Sequence, residues 1–474
     1  MTRAKRFGFL QLVPVFKTGL SMMILISAMA SFAMADEGTA VADKSGAADA
    51  AAQNSGQALV PSATESDSGA AKSHWWDKFQ DINIKGLKPR IRPHFYADNS
   101  YNSNATLLRK ETSAWQARVS PGITVDLPFN ERLYSSVDYT YSFSTVQGKN
   151  LATHANTHNV DAIVRYDLAK KTALGVRNNA QWSELPGSPG NTFFLETVNP
   201  EIKHDFGTKL STGLQYIFQH YHDVTNAATG GASDFFRGGS SNDTFDDNGV
   251  KATSEYKLGS GLTLGPSFGW NVREFTKFKS KNYWQITPTL NGTYTLGAKT
   301  KLGAYFGWAY RRFDVGDGYE SDLVYGAKLT HLLGRKFVWE AGYDKSLTDT
   351  FDTSFVFRPG TAQATDLDNF DRHFRVIRNQ KISTGLTYNI NEKNSANVSS
   401  AFQFSNADSN DNVFSNDRLS EKKMDIGAGY LYRLTRYISL QLAYEFGRSF
   451  EARDNPARSA YTFHKVTAGV NVAF

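Results

Sequence analysis

The sequence predicts an all-β protein: a transmembrane antiparallel up-and-down β-barrel of about 18 strands, preceded by a disordered N-terminal segment. The first observation behind this prediction is strict alternation. From Trp115 to Leu127 every second residue is apolar or Pro, and the residues between them are polar or Gly. Because successive side chains of a strand point to opposite faces, this strand has one apolar and one polar face. The alternation resumes from Leu133 to Phe143, so the two segments form a hairpin suited to lipid on one side and water on the other.

The second observation is that this pattern recurs from Lys88 to the last residue. Each predicted strand has ten or more residues, about what a tilted strand needs to cross a bilayer. The predicted strands are at 90–101, 114–127, 132–144, 157–168, 172–183, 194–206, 209–221, 249–258, 262–275, 283–296, 300–312, 322–333, 337–347, 376–390, 395–405, 424–434, 438–449 and 460–474. An even number of strands is typical of single-chain bacterial barrels.

The third observation is the alternating length of the connections. After even-numbered strands they are short and rich in turn residues: Gly207-Thr208, Gly259-Ser260-Gly261, Gly297-Ala298-Lys299, Gly334-Arg335-Lys336 and Glu392-Lys393-Asn394. After odd-numbered strands they are longer, and those predicted at 222–248 and 348–373 are much longer. Short turns on one rim and long loops on the other predict an outer-membrane barrel of a Gram-negative cell, with both termini periplasmic.

The last predicted strand alternates up to its terminal aromatic residue, Phe474. This ending is similar to the C-terminal signal that the outer-membrane barrel assembly machinery recognises. We therefore expect that machinery and outer-membrane lipid as partners.

The N-terminal region predicts export. Four basic residues precede the apolar run from Leu20 to Ala28, and Ala33-Met34-Ala35 offers a small-x-small cleavage site. Residues 1–35 are therefore a predicted signal peptide, with a retained signal anchor as the alternative. Residues 36–87 are predicted to be a disordered periplasmic tether, because they nearly lack large apolar residues up to position 74. The aromatic segment at 74–79 would anchor at the inner rim, or dock as a short helix on a partner or inside the barrel. The barrel itself is predicted at 88–474.

Composition excludes several classes of function. The chain has no Cys, so disulfides and thiolate chemistry are not available. Residues 1–35 hold four basic and no acidic residues, and the remainder has 48 basic and 46 acidic residues, a net charge of +2. This near balance gives nucleic-acid binding little electrostatic support. We expect no cofactor and no resident metal.

Eighteen strands would enclose a water-filled lumen. The candidate pore-lining residues are charged residues at inward positions: Arg90, Arg92, Arg118, Asp138, Arg165, Arg177, Lys203, Arg273, Arg311, Lys328, Glu340, Lys381, Arg433 and Glu445. Rings of charge can select permeants. Alternatively, opposite charges pair across neighbouring strands and only keep the wall hydrated. Since the inward charges are nearly balanced, we expect pairing and weak charge selectivity.

Aromatic residues at inward positions have two interpretations. They would stack on sugar rings or simply fill space, and the sequence leaves both open. These residues are Tyr96, Tyr134, Tyr283, Tyr305, Tyr461 and Phe463.

The two longest predicted loops carry distinct residues. The first carries Asp223, Asp234, Asp243, Asp246 and Asp247 with Phe235-Phe236, and the second carries the segment Phe355 to Gly360. Such loops either fold inward and narrow the pore or form an extracellular cap. The Asp spacing does not fit a calcium loop, so a solvated acidic tip is the expectation.

Enzyme activity is not expected. His220, His222 and Asp223 are predicted where the seventh strand leaves the membrane, and His154 and His158 flank the predicted start of the fourth. Some barrel proteases and phospholipases place catalytic residues at this rim. Proximity in sequence does not establish a triad, however, and the predicted number of strands exceeds that of those enzymes.

Three segments of the barrel region carry a resemblance to a known family: Val119-Ser120-Pro121-Gly122-Ile123, Asp138-Tyr139-Thr140-Tyr141, and the hairpin from Ala162 to Val176 with Arg165-Tyr166-Asp167-Leu168. On these segments the barrel region resembles an outer-membrane β-barrel porin family (beta-barrel porin 2-like) that is often encoded with exopolysaccharide synthesis and export genes. The resemblance extends from about residue 88 to the C-terminus and excludes the tether. It implies passage of a polysaccharide across the outer membrane, with a periplasmic export partner.

Three functions are compatible with the sequence. The first is an exopolysaccharide export channel, as the resemblance, the predicted lumen and the tether suggest. The second is a general or sugar-uptake porin, since the predicted interior is near neutral and contains Tyr. The third is a structural or adhesion barrel that acts through its long outer loops.

Overall fold

The computed structural model describes residues 89–104, 113–148, 151–184, 192–224, 244–276, 279, 282–314, 319–348, 374–409, 418–450 and 461–474. Within these residues the chain forms 18 antiparallel strands. They are β1 (Arg90–Asn102), β2 (Ala114–Pro128), β3 (Leu133–Gly148), β4 (Leu151–Ala169), β5 (Thr172–Glu184), β6 (Thr192–Phe206), β7 (Leu210–Val224), β8 (Phe245–Lys257), β9 (Leu262–Phe275), β10 (Tyr283–Leu296), β11 (Thr300–Phe313), β12 (Tyr319–Leu333), β13 (Phe337–Thr348), β14 (Phe374–Asn389), β15 (Asn394–Ser409), β16 (Arg418–Arg433), β17 (Ile438–Phe450) and β18 (Tyr461–Ala473).

Each strand pairs with its neighbours in sequence, and β1 pairs with both β2 and β18. The sheet therefore closes on itself. A closed up-and-down barrel is the fold class that the sequence predicts, and it is confirmed. No helix within the described ranges is both long and apolar enough to cross a membrane.

The predicted strand bounds hold at the short-turn rim. At the other rim they hold for some strands, such as β2, β9 and β10, and miss the ends of others. β4 begins at Leu151 instead of 157, β8 at Phe245 instead of 249, and β16 at Arg418 instead of 424. His154 and His158 therefore lie inside β4, not at its start. Beyond the lipid the outer face of a strand no longer requires apolar side chains, so the apolar alternation disappears while backbone pairing continues. The predicted signal peptide, tether and aromatic segment at 74–79 lie outside the described residues.

The short turns are where the sequence predicts them. Gly207, between β6 and β7, has a φ of 79°, and Gly334, between β12 and β13, has a φ of 75°. An added Cβ would meet nothing within 4 Å at either position. The left-handed backbone conformation, not crowding, is therefore what requires Gly there.

The outer surface has the features of a membrane-spanning barrel. Large apolar side chains are exposed at alternate positions, for example Leu214, Leu290 and Leu442. Aromatic residues flank this band on both sides. Those near the short-turn rim include Phe206, Tyr256, Tyr294 and Phe337, and those towards the other rim include Trp115, Trp270, Trp308 and Tyr319. An apolar band between two aromatic girdles is typical of barrels that cross a bilayer.

Close approach of neighbouring strands gives a first testable prediction. A Cβ added at Gly265 of β9 would overlap the carbonyl oxygen of Ser254 in β8 and lie 2.9 Å from the Cα of Glu255. We expect Gly265→Ala to force the two strands apart and lower the free energy of unfolding by about 1–3 kcal/mol. Chemical unfolding of the purified protein in detergent micelles measures this change.

Gly303→Ala is the matched control. The nearest atom to its added Cβ is 3.9 Å away, so this variant is expected to unfold like the parent protein. Equal stabilities of the two variants would contradict the prediction.

Candidate functional site: the inner wall of the barrel

Strand register assigns the two faces of the wall. In the β1–β2 pair, Arg118 lies opposite Asp98, whereas the exposed apolar residue Val119 lies opposite Ala97. The same alternation around the barrel places all fourteen sequence-predicted charged residues on the face opposite the apolar band. They are Arg90, Arg92, Arg118, Asp138, Arg165, Arg177, Lys203, Arg273, Arg311, Lys328, Glu340, Lys381, Arg433 and Glu445.

Three Arg–Asp pairs line neighbouring strands from β1 to β5, and we call them the ion-pair ladder. Arg92 Nη2 is 2.8 Å from Asp126 Oδ2, and Arg118 Nη2 is 2.6 Å from Asp98 Oδ2. Arg177 donates to both oxygens of Asp161, at 3.0 and 2.9 Å. The three Arg side chains remain 41–52% exposed although they are paired. The ladder therefore gives the lumen a hydrated surface in which each of these cations is neutralised.

Hydroxyl groups supply much of the remaining hydrogen bonding on this side. Asp138 accepts hydrogen bonds from the hydroxyls of Thr124 at 2.6 Å and Thr140 at 3.1 Å. Asp126 likewise accepts from Tyr134 at 2.9 Å and Ser136 at 2.8 Å. These bonds hold the carboxylates within the wall, which leaves hydroxyl and guanidinium groups at its surface.

Most of the other candidates also have partners. Lys328 Nζ lies 3.1 Å from Glu340 Oε1, and Arg165 Nε lies 3.2 Å from Asp167 Oδ1. The longer contacts are Lys203 to Glu201 at 3.9 Å and Arg433 to the Glu392 carbonyl at 3.5 Å. Glu445 lies opposite Lys465. Arg90 and Lys381 are exposed. Pairing is thus the common state of these charges, in agreement with the second of the two sequence interpretations.

A different environment surrounds Arg273 and Arg311, which are only 3% and 1% exposed. Arg273 bonds Asp247 through Nε at 3.0 Å and Nη2 at 2.5 Å, and its guanidinium carbon is 4.8 Å from the centre of the Phe245 ring. Arg311 donates to Gln285 at 2.9 Å and lies 4.0 Å from the centre of the Tyr283 ring. These two guanidinium groups are part of a packed wall and do not face water.

Aromatic rings continue this packing across β6 to β9, and we call Phe193, Tyr221, Phe245 and Phe275, with Arg273, the aromatic sector. Ring centres are 6.2 Å apart for Phe193 and Tyr221, 5.3 Å for Tyr221 and Phe245, and 5.6 Å for Phe245 and Phe275. All four rings are buried. This part of the inner wall, at the long-loop end, is consequently not a water-filled surface.

Five of the six inward aromatic residues of the sequence analysis divide into two groups. Tyr96 donates to Asp98 at 2.9 Å, Tyr134 donates to Asp126, and Tyr305 donates to Asp344. Tyr283 and Phe463 are each 2% exposed, so these two fill space. Each of these five side chains therefore either donates a hydrogen bond to a carboxylate of the wall or fills space within it.

The acidic tip predicted between β7 and β8 requires correction. Asp246 and Asp247 lie inside β8 and Asp223 lies inside β7. Asp247 faces inward to Arg273, while Asp246 faces outward with its Oδ1 2.6 Å from His220 Nδ1. The predicted β7 and β8 were too short at this rim, because charged residues at the end of a strand resemble a loop in sequence. Asp234, Asp243, Phe235-Phe236 and the segment from Phe355 to Gly360 lie outside the described residues.

The histidines at this rim, His220 and His222, have polar partners on the outer surface of the barrel. His222 Nδ1 is 2.8 Å from the Thr244 hydroxyl, and the rings of His220 and His222 stack with centres 6.2 Å apart. Their alternation with Tyr221 places them on the outer surface. Among the residues described, no group of three or more His, Asp or Glu side chains could hold a metal ion.

Two ion pairs that connect β12 with β13 and β14 are not predicted from the sequence. Lys345 Nζ is 2.6 Å from Asp322 Oδ1, and Arg378 Nη2 is 2.6 Å from Glu320 Oε2. By alternation these two cations belong to the outer face and the two carboxylates to the inner face. They meet because β12–β13 pairing ends at Tyr325 and Lys345 although both strands continue. These pairs form only because β12 and β13 separate in space, which lets side chains of opposite faces meet. No local sequence pattern predicts such pairs.

The closed sheet, the apolar outer band and the hydrated inner wall together define a transmembrane β-barrel protein. No family model matches the chain, and no curated protein does. Among solved structures, OccK5 (OpdH) of Pseudomonas aeruginosa is 11% identical, with a TM-score of 0.45 over 81% of this chain and 98% of its own. OpdQ of the same organism is 13% identical, with a TM-score of 0.46 and the same coverage. The FrpB iron transporter of Neisseria meningitidis is 10% identical, with a TM-score of 0.46 over 85% of this chain and 83% of its own.

Proposed function

We propose that this protein is an outer-membrane channel through which an exopolysaccharide leaves the cell. The observation that carries the proposal is the inner wall from β1 to β5, where cations are paired with carboxylates and hydroxyl groups fill the space between them. A neutralised, hydroxyl-rich wall suits a hydrophilic permeant that binds weakly at many places, because a permeant must be able both to enter and to leave.

A second part of the wall supports a permeant rich in hydroxyl groups. The inward residues of β10 below Tyr283 are uncharged and polar along the whole strand: Gln285, Thr287, Thr289, Asn291, Thr293 and Thr295. They also bond one another or their neighbours, as Thr289 does with Ser267 at 2.7 Å. Such groups exchange hydrogen bonds readily with sugar hydroxyls and exert no net charge on a passing chain.

The same architecture supports a proposed membrane placement and proposed partners. Short turns at one rim suggest that this rim is periplasmic, with both ends of the barrel on that side. The strand ending at Phe474 supports the barrel assembly machinery as the partner in insertion. A periplasmic export partner, reached by the tether at 36–87, completes the proposed route for the polymer.

Deletion of the gene tests the export proposal. We expect surface polysaccharide to fall and polymer to accumulate in the periplasm, and a plasmid copy of the gene to restore export. Unchanged surface polysaccharide with no periplasmic accumulation would refute the proposal.

The second candidate is a sugar-uptake porin, and the aromatic sector favours it. Phe193, Phe245 and Phe275 are 3–4% exposed on the inward side of the wall, which is more consistent with a restricted passage for small sugars than with a wide duct. Single-channel recordings in planar bilayers separate the two candidates. Reversible block by short oligosaccharides together with normal polysaccharide export in the deletion strain would favour uptake. The adhesion alternative concerns long loops outside the described residues.

A further inference from the structure

We propose that Lys422 and Arg448 form a binding site on the outside of the barrel for the phosphorylated headgroup of a glycolipid in the outer leaflet. The site is separate from the lumen and does not depend on which molecule passes through it. It depends only on the orientation that places the long-loop rim at the cell exterior.

Both cations lie at the upper edge of the apolar band. On β17 the outward residues are Ile438, Leu440, Leu442, Tyr444 and Phe446, and Arg448 is the next outward position. At about 3.3 Å per residue and a tilt of about 40°, the ten steps from Ile438 to Arg448 rise about 25 Å, the height of a lipid-facing band. On β16 the apolar run ends at Met424, and Lys422 is the next outward position. Each strand therefore places its first outward charge where the headgroups begin.

The two cations are neighbours. Lys422 lies opposite Phe450, and Met424 lies opposite Arg448. Lys422 and Arg448 are therefore diagonal partners on adjacent strands, with Cβ atoms about 7–8 Å apart. Both side chains are exposed, and neither forms a salt bridge with a residue that the structure describes. Two long, flexible side chains at this spacing can reach one phosphate group.

Aromatic rings border the pair. The guanidinium carbon of Arg448 is 5.0 Å from the centre of the Phe450 ring, and Phe402 lies 6.2 Å from Phe450 and 4.5 Å from Phe404. Rings of this kind concentrate at membrane interfaces, where one side meets acyl chains and the other meets polar groups. The patch thus offers apolar contact to the lipid and two positive charges to its phosphate.

Other outward cations at this rim do not combine exposure, a neighbouring cation and the absence of a described carboxylate partner. Lys345 and Arg378 are already paired with Asp322 and Glu320. Arg312 is exposed on the outer face of β11, but the residues opposite it are Trp284 and Tyr319. Among the described outward positions at this rim, only Lys422 and Arg448 place two exposed cations side by side without a carboxylate partner. That arrangement suits a doubly charged phosphate, because both cations can donate charge-assisted hydrogen bonds to it.

Binding of purified lipid A to the full-length protein in detergent micelles tests the proposal. The probes are lipid A that carries its phosphates and the same lipid after enzymatic removal of the phosphates. We expect the double variant Lys422→Gln/Arg448→Gln to bind phosphorylated lipid A about 30-fold more weakly, equivalent to about 2 kcal/mol at 1.4 kcal/mol per tenfold change. The parent protein is expected to lose a similar factor when the phosphates are removed.

Two further variants make the result specific. Lys299→Gln/Arg335→Gln removes the same charge from exposed turns at the opposite rim and should leave binding unchanged. Lys422→Arg keeps the charge and should retain binding, which shows that the position tolerates substitution. Undiminished binding by the Lys422→Gln/Arg448→Gln protein, or equal binding of dephosphorylated lipid A by the parent, would overturn the proposal. Single-channel conductance is expected to be the same in all four proteins.

Discussion

Replacing Leu442 with Arg is expected to lower the free energy of unfolding by about 2–4 kcal/mol, the cost of a cation near the middle of the bilayer on a barrel's lipid-facing side. Leu442 is the central residue of the outward run on β17, between Leu440 and Tyr444, and is 53% exposed. Its side chain points away from the sheet within the apolar outer band, which would face the acyl chains. The introduced guanidinium would therefore lose hydration without gaining a partner.

Gln441→Arg is the control, because it adds the same side chain one residue away on the inner face. Gln441 lies opposite Leu431 and Gly469 on the hydrated side of the wall, so we expect little change there. Unfolding titrations of both variants in the same lipid vesicles give the comparison. A Gln441→Arg cost equal to or greater than that of Leu442→Arg would mean that the assignment of inside and outside is wrong.

Asp247→Asn is expected to destabilise the barrel by about 3 kcal/mol. The carboxylate of Asp247 accepts two hydrogen bonds from Arg273, a side chain with 3% exposure. Removing one charge of a buried pair leaves the other desolvated and without its counter-charge, and this loss is large even where the intact pair contributes little net stability. The Asn side chain has nearly the same size, so packing changes are small.

An exposed pair on the same inner wall provides the control for this variant. Lys328 and Glu340 are 3.1 Å apart, with side chains 64% and 48% exposed. Glu340→Gln is expected to cost no more than about 1 kcal/mol, since water screens this pair. Thermal unfolding in detergent measures both variants. Similar melting temperatures for Asp247→Asn and Glu340→Gln would show that the aromatic sector is hydrated.

The pattern that predicts the strands is local, which explains why it succeeds where lipid is present. Alternation on β2 from Trp115 to Leu127 exists because one face meets acyl chains and the other meets water. At the long-loop rim the outer face leaves the lipid and can carry polar residues, so the alternating signal is lost. The missed start of β8 at Phe245 and the misassigned Asp246 and Asp247 share this cause.

By itself, the sequence determined the number of strands, the face of the residues in the lipid-spanning part of each strand and the rim that carries the short turns, because each of these depends on residues adjacent in the chain. The tertiary structure decided which inward charges meet and which are hydrated. Arg118 and Arg273 are both inward Arg residues on amphipathic strands, yet the Arg118 side chain is 41% exposed and that of Arg273 is 3% exposed. The difference comes from the rings of Phe245 and Tyr283 around Arg273. Those rings reach it through the register of neighbouring strands, a property of the closed sheet that no single strand contains.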